Sequence, residues 1–148
     1  MLQGVPCDPV ERCHMSNGKA NPRRANGHRR DALRRRVLGR GDPCWICGLP
    51  IDPAEPNLSP CQGVADELVP VSKGGSPLDP GNCAPAHRCC NAWRSDKPVA
   101  LVRLVQSRVA SIGGAGDPLS WCALARRASS DIKRGLRTQE PPKPTTDW

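Results

Sequence analysis

At 148 residues, with 22 Lys and Arg against 14 Asp and Glu, the chain has room for one compact domain plus tails and a formal net charge of +8. With no Phe or Tyr, 17 prolines and 14 glycines, it can bury only a small core, which a structural metal would supplement. No apolar run approaches a membrane span and no export signal opens the chain, so the expected protein is soluble and cytoplasmic, and its odd count of 9 cysteines favours metal ligation over a disulfide scaffold.

Residues 1–28 are polar and punctuated by Pro and Gly, and are expected to be disordered. Met15 is an alternative start, in which case Cys7, Cys13 and His14 play no part. From Gly18 to Arg40 the basic residues crowd together with Asp31 as the only acid, and Arg29, Arg30, Arg34, Arg35 and Arg36 fall in a short helix expected from Arg29 to Leu38. Arginines at this density repel one another unless a polyanion neutralises them, which points to phosphate backbone as the partner. The run lacks the aromatic and bulky apolar residues of a membrane-surface helix, so a lipid partner is not expected.

"DPCWICGLPID" follows as a tight knuckle, "DELVPV" as a short strand, and "SKGGSPLDPGN" as a long loop. "PAHRCCNAWRSDKP" reads as a helix with Pro85 in its first turn. Beyond it, one helix carries Leu101, Leu104, Val105, Val109 and Ile112 as its packing stripe. Another is capped by Asp117, opens with Pro118 and packs through Trp121, Leu124, Ala128 and Ile132. The expected organisation is a zinc domain over 29–98, a helical extension over 99–137 and a Pro-rich tail over 138–148.

Cys44-x-x-Cys47 with a following Gly has the form of a zinc knuckle, although a redox dithiol shares that spacing. "HRCCN" offers the second pair: on a helix, His87 and Cys90 share a face and Cys89 points away. A structural zinc held by Cys44, Cys47, His87 and Cys90 follows. Asn91 and Arg94 lie on the same helical face, aimed towards Asp66 and Glu67. A carboxylate, an amide oxygen and a guanidinium are the groups a Mg²⁺–phosphate site uses. Cys61 and Cys83 read as partly buried free thiols flanking the loop, Cys122 as part of the last helix's packing stripe, and Trp45 and Trp93 as core residues or as stacking platforms for DNA.

Taken in order, "CWIC", "DELVPVSKGGSPLDPGN" and "HRCCNAWRSDK" resemble the HNH, or ββα-metal, endonucleases in their small zinc-stapled form, over about Pro43 to Lys97. The resemblance implies an α+β fold, DNA as substrate and a catalytic Mg²⁺ or Mn²⁺ held by Asp66 and Asn91. It also implies that Asn82 positions the base and braces the loop, and that Arg94 and Lys97 touch the scissile strand, with Lys73 a further DNA-contacting cation. A phage or mobile-element setting is the company this family keeps. Glu67 stands where the family usually has its general-base histidine. Glutamate accepts a proton from water but is a weaker base than imidazole. Two functions therefore stand open: a metal-dependent endonuclease that nicks DNA, and a zinc-stabilised DNA-binding module without catalysis.

Overall fold

The computed structural model describes residues 26–138, so the expectations for residues 1–25, Met15 among them, and for the tail beyond 138 lie outside the described residues. The architecture is α+β. Helix α1 spans Gly27–Leu38, strand β1 Gly63–Glu67 and strand β2 Cys83–His87. Helices α2 at Arg88–Arg94, α3 at Val99–Ser111 and α4 at Pro118–Thr138 complete it. The strands form one antiparallel ladder in which Gly63 faces His87 and Glu67 faces Cys83. None of the described helices is long and apolar enough to cross a membrane.

Helix α1 begins two residues earlier than expected and takes in Gly27 and His28. Its Arg, Ala and Leu content favours helix, and Leu33 and Val37, one turn apart, are buried against Cys83 and Ala65. The basic segment is thus docked on the hairpin over its last turns, and Arg34 Nη2 donates to the Gly63 carbonyl at 3.1 Å.

The strand lies before "LVPV" rather than through it. Leu68 still pairs with the Asn82 carbonyl at 2.8 Å, but Pro70 has no N–H and opens a 3₁₀ turn at Val71–Lys73. The small alternating residues of "GVADE" form the strand because β2 is there to pair with them, a long-range choice that outweighs the local apolar run. Likewise Pro85 sits in β2 opposite Ala65, not in a helix. Each strand has only one neighbour, so a residue without an N–H is tolerated there. Helix α2 therefore starts at Arg88, with His87 as its extended N-cap.

One hydrophobic core joins the knuckle, the hairpin and the C-terminal helices: Cys44, Ile46 and Ala86 pack with Trp93, Val105 and Trp121. Trp93 and Trp121 meet edge to face, with ring centroids 5.1 Å apart. The zinc region and the helical extension are one packing unit. Of the stripe expected on α3, Val105 and Val109 are buried and Leu101 packs on the core, but Leu104 and Ile112 are more than half exposed and Val102 is buried instead. Gln106 on α3 donates to the carbonyls of Trp45 and Ile46, both at 2.7 Å, and so ties that helix to the knuckle. Asp117 caps α4 through the amides of Leu119 and Ser120, as its place before Pro118 predicts.

Candidate functional site

The Cys44-to-Cys47 turn is held by the Gly48 amide on the Cys44 carbonyl at 2.8 Å, and by the Cys44 amide on the Leu49 carbonyl at 2.9 Å. Gly48 has φ of 77°, a left-handed conformation a side chain would strain. The Trp45 amide donates to the Pro85 carbonyl at 2.9 Å, which seats the knuckle on β2 beside His87. As a result the ligand atoms of Cys44, Cys47, His87 and Cys90 all lie within 4.8 Å of one another.

This donor set fits zinc. Three sulfurs and one imidazole are the ligands of a closed structural site. His87 Nδ1 lies 3.3 Å from Cys47 Sγ, and its Nε2 is 3.1 Å from the Pro50 carbonyl. A carbonyl on one ring nitrogen selects the tautomer whose other nitrogen is free to ligate. The protons of the thiols tell the same story. Hydrogen bonds from Cys47 and then Cys90 hold the Cys44 thiol below its ordinary value, and the hydrogen bond to Cys44 pushes Cys47 above it. Cys90 is raised as well, first by its contact with Cys122. Negative charge collects on one sulfur because three neighbouring thiols cannot all ionise unaided, and a bound divalent cation would replace the remaining protons.

Asp66 lies on the α2 side of the hairpin and is 5% exposed. Trp45 Nε1 donates to its Oδ2 at 2.9 Å, and Arg94 Nη1 to its Oδ1 at 2.7 Å. Arg94 itself is 1% exposed, and also donates to the Glu67 and Leu68 carbonyls, both at 2.6 Å. Its guanidinium stands 5.3 Å from the centre of the Trp45 ring. Burial pushes the Asp66 carboxyl up, and the Arg94 charge opposes that rise, followed by the hydrogen bonds from Trp45 and Arg94. The expectation that Arg94 touches a scissile strand is therefore corrected. It is an interior cation that neutralises Asp66 and clamps the backbone where Glu67 leaves the strand.

Glu67 lies on the other side of the hairpin, as strand alternation requires. Its Oε1 is 3.8 Å from Arg30 Nη2. Together with Arg34 and Arg88, these residues line a groove of about 370 Å³ between α1 and β1. Arg29, Arg35 and Arg36 are on the exposed face of α1. Asn82 bridges the loop: its side chain accepts from the Val69 amide at 2.9 Å and donates to the carbonyls of Val69 and Ser76 at 2.9 and 3.0 Å. Gly75 is required beside it, because a Cβ there would stand 1.7 Å from the Val69 carbonyl oxygen. Asn91 is half-buried on α2. Lys73 Nζ donates to the Asp96 carbonyl at 2.8 Å. Lys97 Nζ donates to the Trp93 carbonyl at 2.5 Å, so its ammonium caps α2.

Sequence reasoning missed Trp45 as the donor that shares Asp66, and Gln106 as the tie between α3 and the knuckle. The signal for Trp45 was available in principle, since a buried carboxylate must find N–H donors and indole carries one. Gln106 has no local signature. No protein-family model, curated protein or solved structure matches this chain.

Proposed function

We propose that the chain is a metal-dependent DNA endonuclease of the HNH type, a hydrolase of phosphodiester bonds with Glu67 as general base. The observation that carries this reading is the groove lined by Glu67, Arg30, Arg34 and Arg88, in which Glu67 Oε1 lies 3.8 Å from Arg30 Nη2. A base beside guanidinium groups suits a phosphodiester: the cations receive the phosphate oxygens and the carboxylate takes a proton from the attacking water. The order β1, loop, β2, α2 around a Cys/His cluster supports the same reading. The resemblance implies that a Mg²⁺ or Mn²⁺ would be held by Asp66 and Asn91 and would stabilise charge on the phosphate.

That ion is the weak fit. Both Asp66 oxygens already accept hydrogen bonds from Trp45 and Arg94, and Asp66 and Glu67 face opposite sides of the hairpin. This favours a second reading, a zinc-stabilised DNA-binding module without catalysis. Plasmid nicking with Mg²⁺ or Mn²⁺ against an EDTA control separates the two. Under the first reading wild type nicks, EDTA stops it, and Glu67→Ala loses about two to four orders of magnitude of turnover while still binding DNA. Salt-sensitive DNA binding without nicking under either metal gives the second reading the field. Absence of both activities removes both.

A further inference from the structure

Among the described residues, Cys89 and Cys122 take no part in the cluster built on Cys44, Cys47 and His87. Together with Cys90 they form a second group whose sulfurs all lie within 4.8 Å of one another. Two of them stand in the first turn of α2 and one at the start of the second turn of α4. Cys122 Sγ is 3.7 Å from Cys90 Sγ. A tetrahedral site with metal–sulfur bonds of about 2.3 Å has sulfur–sulfur edges of about 3.8 Å, so this spacing is already that of a ligand pair. Cys90 and Cys122 are buried and Cys89 is half-buried, which leaves the group one side through which an ion can enter. The Cys89 amide donates to the Pro60 carbonyl at 2.8 Å, and Cys61 lies within electrostatic range of both Cys89 and Cys122.

We propose that Cys89, Cys90 and Cys122 bind a second thiophilic ion of the zinc class, with the Cys90 thiolate bridging it to the ion of the first cluster. A thiolate has lone pairs enough for two cations. Charge balance is favourable as well: a second dication displaces the protons of Cys89 and Cys122, so two positive charges enter as two thiolates form, and the buried net charge is unchanged. The bridge would fasten α4 to the metal centre through Cys122, which the first cluster by itself does not do.

The test is metal stoichiometry of the full-length protein, saturated with Zn²⁺ or Cd²⁺ and freed of excess by gel filtration. Wild type is expected to retain two ions per chain, and Cys89→Ser and Cys122→Ser one each, with unchanged circular dichroism. A wild type that saturates at one ion overturns the proposal, as does a second ion that both variants keep. Should the variants unfold and lose all metal, ¹¹³Cd NMR of wild type decides. Two resonances split by coupling through a shared sulfur support the bridge, and one resonance, or two without coupling, overturns it.

Discussion

Replacing Arg94 by Met keeps most of the apolar stem and removes the guanidinium. Asp66 would then keep Trp45 Nε1 as a donor, and the carbonyls of Glu67 and Leu68 would lose their Arg94 bonds. Removing one partner of a buried ion pair costs about 3–5 kcal/mol, chiefly because a charge is left uncompensated. The middle of that range, about 4 kcal/mol, is expected at pH 7. That is a large part of the total stability of a small domain. The pH dependence has a definite sign. Burial already raises the Asp66 pKa, and loss of the Arg94 charge raises it further. A carboxyl whose folded-state pKa exceeds its unfolded value contributes stability that is present below the unfolded pKa and is lost as pH rises through the folded one. The deficit of the variant relative to wild type should therefore shrink as pH falls from 7 towards 5. Urea unfolding of both proteins in the same excess of Zn²⁺, at each pH, measures it, and any proton competition at the thiols is common to both and drops out of the difference. Replacing both partners, Arg94→Met with Asp66→Leu, should recover most of the loss. A deficit below about 1 kcal/mol at pH 7, or one that does not change with pH, would refute the reasoning.

Two further outcomes follow from the same geometry. Cys44→Ser or Cys90→Ser should lose the metal of the first cluster and much of the fold, because Cys44 and Cys90 are also fully buried core residues; zinc content and circular dichroism read both effects together. Gly75→Ala should force the Val69 carbonyl away, break the Asn82 bridge and lower stability by about 1–3 kcal/mol, whereas Gly81→Ala, whose Cβ would meet only Asp79 side-chain atoms at 3.3 Å or more, should be mild; thermal unfolding that ranks the two equally would contradict this.

What could be read along the chain is what depends on neighbours in sequence. Cys44-x-x-Cys47 and His87-x-x-Cys90 are local spacings, and both survive in the folded cluster even though His87 proves to be an N-cap rather than a helical residue. The Asp117 cap and the α1 pair Leu33 and Val37 rest on similarly short-range rules. Whatever depends on a partner far along the chain was decided by folding. The strand moved to Gly63–Glu67 because β2 pairs there, and α3 buried Val102 while leaving Leu104 and Ile112 exposed because the surface it meets is set by the knuckle and α4. Arg94 offers the clearest case. Sequence shows a cation three residues after Asn91 and aims it at the acids, but not whether it will meet phosphate or Asp66. Only the closure of α2 against β1 removes water from both groups, and once water is gone the pair must neutralise itself. The same packing brings Cys122 against Cys90, 32 residues apart, a contact with no signature in either segment.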